Sequence, residues 1–268
     1  MLDLGARVAA LTGLGVFSVS PLSGGDIAQV ARITLEDGRC VIAKSGGPSM
    51  TEARMLRAIA ATGCAAPEVL EVAEDILIMS DLAEGSGSDE AWAKAGAAVA
   101  QLHANEGESY GWDEPTAFGN APCPADRSDD WPTFWAQNRL LAWPGSLPSE
   151  IAQRVEALAP RVDDLLPETP RASLLHGDLW RGNLLLDGRY FSGLIDPACY
   201  YGDAEVDLAA LTLFASPPPS FWEAYGKLDR GWEKRRALYQ LWPALVHLRL
   251  FGAGYREMVE TRLTALGA

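Results

Sequence analysis

The stretch from Leu174 to Asp207, LLHGDLWRGNLLLDGRYFSGLIDPACYYGDAEVD, constrains this chain more than any other. Asp178 is followed five residues later by Asn183, and Asp196 comes thirteen residues after that, at the end of an apolar run. An aspartate, an asparagine and a second aspartate in that order are the parts that phosphoryl transfer to a hydroxyl requires. The first carboxylate accepts or orients the proton of the attacking hydroxyl, and the amide and second carboxylate hold magnesium on the phosphates. Leu184 to Leu186 and Tyr190-Phe191 flank Asp187-Gly188, a two-residue hairpin signal. A turn on that pair sets Leu186 opposite Arg189 and brings Asp196 opposite Leu179, beside Asp178. A polar loop next to an ordinary hairpin would account for His176-Gly177-Asp178 alone, but not for Asn183 and Asp196 falling in the same register. Asp178 needs no raised pKa for this role, since an ordinary carboxylate is ionised at neutral pH. His176 is expected to brace the loop, and Asp207 to hold it through backbone amides.

The first eighty residues supply what such a site needs on the phosphate side. Gln29 to Leu35, Asp37-Gly38 and Arg39 to Lys44 form a hairpin pattern, and Lys44 ends a Val-Ile-Ala-Lys run. A lysine in that place neutralises α- and β-phosphate charge. Ser49-Met-Thr-Glu52 opens an amphipathic helix. Glu52 is expected to pair with Lys44, although Ser-x-x-Glu is also a capping box. Upstream, Gly24-Gly25 is a glycine turn whose amides can approach phosphate oxygens; no Gly-Lys-Ser/Thr follows, so it is not a Walker loop. Strands are predicted at Val69-Leu70 and Ile76 to Met79. The polar Gly/Ser-rich stretch after them divides the chain into residues 1–80, a nucleotide-covering β lobe, 81–88, a hinge, and 89–268, a helical catalytic and substrate lobe. The hinge residues Met79, Ser80, Asp81 and Leu82 are expected to present backbone groups to adenine. The class is α+β.

Composition narrows the partners. A net charge of −14 disfavours nucleic acid and anionic membranes and favours an amine-bearing partner. Four cysteines without a C-x-x-C pair argue against a zinc site or disulfide framework and point to the cytoplasm. No run approaches the ~20 apolar residues of a membrane span, and the N-terminus does not read as a secretion signal. A monomer is favoured. Helices are predicted over Asp89 to Ala104, with His103 packed rather than reactive, over 149–166, 206–214 and most of 221–266, where Pro243 should kink the chain. Trp131, Phe134 and Trp135 read as core.

HGDLWRGN followed by IDPACYYGDAEVDLA resembles the fructosamine kinase (ketosamine kinase) family, within the protein-kinase-like group that includes aminoglycoside and choline phosphotransferases. Trp180 and the IDPA-x-YYG run at 195–202 are its more specific parts. The resemblance implies a two-lobed protein-kinase-like fold, ATP and Mg2+ as cofactors, and a ketosamine substrate, a sugar joined through its 1-deoxy-2-keto carbon to an amine. Trp180 would then stack on the sugar, with Arg181 and Tyr201 on the substrate side. The chain departs from the family at Gly202-Asp203-Ala204-Glu205, where members usually show Gly-His-Arg-Glu, at Asp26, where many have Cys, and at Arg181, which replaces a small residue. An aminoglycoside, choline or amino-sugar phosphotransferase and a catalytically silent ATP-binding pseudokinase remain open alternatives.

Overall fold

The computed structural model describes residues 4–22, 28–143 and 145–268. Gly24 and Gly25, the expected phosphate-covering turn, lie outside the described residues. Helix α1 (Leu4–Thr12) precedes a five-stranded antiparallel sheet of β1 (Val16–Pro21), β2 (Gln29–Leu35), β3 (Cys40–Ser45), β4 (Val69–Ala73) and β5 (Ile76–Ser80). The strand order is β1-β2-β3-β5-β4, and α2 (Ser49–Ala61) connects β3 to β4. Side chains alternate across a strand, so the sheet builds two cores. Val41 and Ala43 join Ile33, Ile76 and Ile78 against Leu4 and Val8 of α1, while Ile42, Leu77 and Met79 pack on Ala53 and Leu56 of α2. Lys44 shares the parity of Ile42, which turns it toward α2.

The larger part is mainly helical. It runs through α3 (Asp89–His103), a short hairpin of β6 (Thr116–Phe118) and β7 (Ala121–Cys123), then α4 (Trp131–Trp135), a π-helical turn at Ala136–Leu140, and α5 (Ser149–Leu158). After β8 (Ser173–Leu175), β9 (Leu184–Asp187), β10 (Tyr190–Leu194) and β11 (Tyr200–Gly202) come α6 (Glu205–Leu211), α7 (Pro219–Tyr225), α8 (Trp232–Phe251) and α9 (Arg256–Ala265). Pro243 sits inside α8. Trp131, Phe134 and Trp135 are fully buried. Among them lies a feature that composition does not announce. The Arg139 guanidinium is buried 4.1 Å over the Tyr200 ring and 5.0 Å from both Phe134 and Trp242, and it donates to the Pro124 carbonyl at 2.6 Å. Among the described residues, no helix is long and apolar enough to cross a membrane.

Two local expectations resolve differently. The β9–β10 turn is Gly188-Arg189, not Asp187-Gly188: Asp187 faces Tyr190, Leu186 faces Phe191, and a bulge at Ser192 then sets Leu185 opposite Gly193. The bulge shifts the register again, so Asp196 does not face Leu179; Ile195 instead donates its amide to the Asn183 carbonyl at 3.0 Å. The stretch 85–88 is also more than a flexible connector. Gly85 and Ser88 donate to the carbonyls of Leu186 and Gly188, and Gly188 donates back to Ser86. A Cβ at Gly87 would fall 2.3 Å from the Leu186 side chain, and one at Gly85 would fall 2.8 Å from an Asp187 carboxylate oxygen, so these glycines leave room for the hairpin's side chains.

Helices α3 and α7 meet at another such point, where a Cβ on Gly96 would stand 2.2 Å from the Phe221 carbonyl oxygen. In an exposed helix, Gly→Ala gains up to ~1 kcal/mol. Here the overlap with fixed backbone should reverse the sign, and Gly96→Ala should lose about 1–3 kcal/mol through overpacking. Urea unfolding measures it: a lowered midpoint is expected, and a raised one would show that the two helices part freely.

Candidate active site

The loop between β8 and β9 carries His176, Asp178, Trp180 and Asn183, and it is held by hydrogen bonds that converge on one carboxylate. Asp207, at the start of α6, accepts the amides of His176 at 2.6 Å and Gly177 at 2.9 Å. His103 Nε2 meets the same carboxylate at 3.1 Å, and its Nδ1 meets the Tyr225 hydroxyl at 2.9 Å. Burial alone would raise the Asp207 pKa, but the His103 hydrogen bond, the two histidines and the Gly177 amide outweigh it and hold the group below its ordinary value. His176 uses both ring nitrogens as a neutral imidazole: Nε2 donates to the Ile195 carbonyl at 2.9 Å and Nδ1 accepts from the Asp178 amide at 3.3 Å. Burial lowers its pKa despite the nearby carboxylates. It therefore braces the loop, as its position suggested.

Asn183 turns its amide nitrogen onto both the backbone carbonyl and the carboxylate of Asp178, at 2.9 and 3.0 Å. This leaves the Asn183 side-chain oxygen facing away from Asp178. Burial pushes the Asp178 carboxyl up to about 7, with Asp196 and Asp207 adding to the rise and the Asn183 hydrogen bond and Lys44 opposing it. Asp178 thus differs from the ordinary carboxylate that its sequence context suggested, because the loop encloses it near two other acids.

Across from this loop, Lys44 bridges two elements distant in sequence. Its Nζ lies 2.9 Å from Glu52 Oε2 on α2 and 2.7 Å from Asp196 Oδ1. The Ser49 box does not form: Pro48 precedes the helix without a side-chain cap, so Glu52 is left for Lys44. Burial works against the Lys44 charge, but Glu52 and Asp196 together raise its pKa. Burial likewise raises Glu52, which shares that one ammonium with Asp196. Asp196 has φ 52°, the one positive value at a non-glycine among the described residues. Such a backbone is uncommon outside glycine and costs on the order of 1–3 kcal/mol. It aims the carboxylate at Lys44 immediately before the Pro197 turn.

The remaining expected residues divide. The side chains of the 79–82 stretch are spent on the protein itself: Met79 is buried, Ser80 Oγ accepts the Glu68 amide at 2.9 Å, and Asp81 takes Arg32 in a two-point pair at 2.5 and 2.9 Å. Leu82 packs toward Gly193. Trp180 is 42% exposed, with its ring lying over Gly182. Two residues expected on the substrate side make contacts within the protein. Arg181 folds back, donating to the Leu184 carbonyl at 2.7 Å and lying 5.5 Å from the Trp92 ring. Tyr201 packs on Gly107, Trp112 and Arg127, because β11 alternation sends it to the face opposite buried Tyr200. The Asp203 departure is also internal: its carboxylate accepts the Tyr239 hydroxyl at 2.6 Å and the Glu205 amide at 3.0 Å.

The sequence and the fold that carry these residues find their match among known proteins. A fructosamine kinase family model matches residues 10–267. The chain belongs to the fructosamine kinase family. A probable ketoamine kinase from Thermus thermophilus is 36% identical over 246 residues, covering 88% of each chain. A crystal structure from Thermobifida fusca, provisionally named fructosamine-3-kinase, superposes with a TM-score of 0.88 at 30% identity over 99% of both chains. A choline/ethanolamine kinase family protein from Mesorhizobium loti shares the fold alone, with a TM-score of 0.66 at 18% identity over 98% of this chain and 92% of that one. The chain is an ATP-dependent small-molecule kinase with a protein-kinase-like α+β fold.

The Asp207 network generates a test of stability. A depressed carboxylate stabilises the fold above its unfolded-state value, and that contribution is lost as pH falls through the folded value. Asp207→Asn should lose about 3 kcal/mol at pH 7, the scale of hydrogen bonds to a buried charge. The difference from the parent, measured by urea unfolding, should shrink as pH drops below ~4. A difference that holds constant to pH 3 would show that the charge itself contributes nothing.

Proposed function

We propose that this protein transfers the γ-phosphoryl group of ATP to a sugar hydroxyl of a ketosamine, a fructosamine- or ribulosamine-type glycated amine. The observation that carries the proposal is the meeting of Lys44, Asp196, Asn183 and Asp178 in one hydrogen-bonded neighbourhood, on the fold of a family named for that substrate class. Asp178 orients the acceptor hydroxyl and takes its proton. Its raised pKa suits a group that must accept a proton near neutral pH. Asn183 fixes the rotation of that carboxylate. Lys44, steadied by Glu52, draws the phosphate oxygens toward β3, and Trp180 offers an exposed ring to the sugar face.

Magnesium supplies charge neutralisation on the phosphates. The Asn183 side-chain oxygen and the Asp196 carboxylate would hold it. These are hard oxygen donors, and two protein ligands suit an ion that completes its shell with phosphate and water. Residues 81–88 act as the hinge between a lobe of residues 1–80 and a lobe of residues 89–268. Met79 and Ser80 are paired within the sheet, with the Ser80 amide donating to the Glu68 carbonyl at 2.9 Å, so the backbone groups of Asp81 and Leu82 are what this stretch offers to adenine. Gly24 and Gly25 complete the phosphate side by sequence position.

The test is magnesium-dependent ADP release with a fructosamine, a ribulosamine, an aminoglycoside and choline as acceptors. Turnover confined to the ketosamines is expected; turnover of only choline or the aminoglycoside would replace the substrate assignment. Asp178→Ala should lower kcat by about 10²–10⁴-fold while ATP still binds. Asn183→Ala and Asp196→Ala should raise the magnesium concentration needed for half-maximal rate. An unchanged magnesium requirement in both would remove them from the metal site. Trp180→Ala should act mainly on the ketosamine KM, by about tenfold, the scale of one aromatic contact.

A further inference from the structure

The end of β3 leads into a cleft of about 820 Å³ that the proposed chemistry does not use. The loop Gly46–Pro48 forms one wall, the turn Gly119-Asn120 another, and Leu250 and Phe251 at the end of α8 the third. None of these side chains is ionisable. The cleft is joined to the Asp178 loop by a row of rings: Trp180 and Phe214 have centroids 6.4 Å apart, Phe214 and His247 5.1 Å, and His247 and Phe251 5.5 Å. Phe214 is 49% and Phe251 44% exposed. A continuous run of exposed aromatic surface is uncommon on a soluble protein without a ligand to cover it.

We propose that this cleft is the subsite for the group carried on the amine of the ketosamine, and that it selects uncharged, aromatic or branched-alkyl substituents. The inference rests on the ketosamine assignment and deepens it. With the sugar hydroxyl at Asp178 and the sugar against Trp180, the amine leaves along Phe214 and His247, and its substituent enters beside Phe251. Ring faces accept the protonated amine as it passes. A cleft of this volume accommodates a drug-sized group. The lining side chains are uncharged, and Arg249 beside them is turned onto the Asn120 carbonyl at 3.3 Å, so desolvating a carboxylate-bearing substituent there is unfavourable. Gly47 provides a means of testing this, since a Cβ there meets nothing within 4 Å and its φ is not in the left-handed region. A larger side chain at 47 would occupy the cleft without disturbing the fold.

The experiment compares kcat/KM for the fructosamines of methylamine, 6-phenylhexylamine and 8-aminooctanoic acid, the last two long enough to span the row of rings, in the parent protein, Gly47→Leu and Phe251→Ala. The parent should prefer the phenylhexylamine derivative to the methylamine derivative by about tenfold or more, the scale of filling an apolar pocket, and should use the aminooctanoic acid derivative less well than the phenylhexylamine derivative. Each variant should lose about tenfold on the phenylhexylamine derivative, with methylamine turnover and the KM for ATP within about twofold of the parent. That unchanged methylamine turnover also reports that the variants fold. Equal use of all three substrates by the parent, or equal loss on phenylhexylamine and methylamine derivatives in both variants, would overturn the subsite. No turnover of any fructosamine by the parent would overturn the ketosamine assignment beneath it, a different result from turnover that ignores the substituent.

Discussion

The buried carboxylate of Asp207 is the interaction on which the rest of the site depends. It receives two consecutive amides of the β8–β9 loop and a histidine from α3 that is itself bonded to α7. One charge thereby fixes the loop against three helices. The geometry also demands Gly177, whose φ is +81° and whose Cβ position would lie 2.0 Å from the Ala198 carbonyl oxygen. The loop crosses beneath the 197–199 segment so closely that only glycine passes, and the Ala198 amide closes the crossing by donating to the His176 carbonyl at 2.8 Å. This crossing brings Asp196 alongside Asp178 without a regular hairpin register.

Enclosure then sets the electrostatics. Asp178, Asp196 and Asp207 act on one another through a poorly solvated region, which raises Asp178, while Asp207 stays depressed because its hydrogen bonds favour the charged form. Lys44 is shared between Glu52 and Asp196, so the pocket carries more negative than positive charge before any cation enters. A site built this way gains most from a ligand that brings positive charge.

Departures from the family pattern fall largely on the scaffold. Asp203 bonds Tyr239, which also accepts from Trp131 at 3.0 Å, and Glu205 holds Arg235 through two contacts at 2.5 and 2.6 Å. These residues lock the start of α6 to α8, so the change at 203–204 alters how α6 is anchored. Arg181 likewise reaches the Leu184 carbonyl and the Trp92 ring while remaining exposed. Neither role was legible in sequence, because a polar residue beside a motif has the same local pattern whether it points inward or outward.

The chain by itself determined the α+β class, the β2–β3 hairpin ending at Lys44, the helices and the bracing roles of His176 and Asp207, because periodicity, turn residues and loop polarity are local properties. It also supplied the family resemblance through HGDLWRGN and the IDPA-x-YYG run. Tertiary structure alone decided the rest. The bulge at Ser192 moved the hairpin register, and helix packing chose Lys44 over a capping box for Glu52. Enclosure raised Asp178, and the close stitching of 85–88 to the hairpin explained glycines that looked like linker. Each of these depends on what lies across space from a residue, which its sequence neighbours do not encode: a pKa follows from burial and facing charges, and the need for a glycine follows from whatever backbone occupies the space where a Cβ would stand.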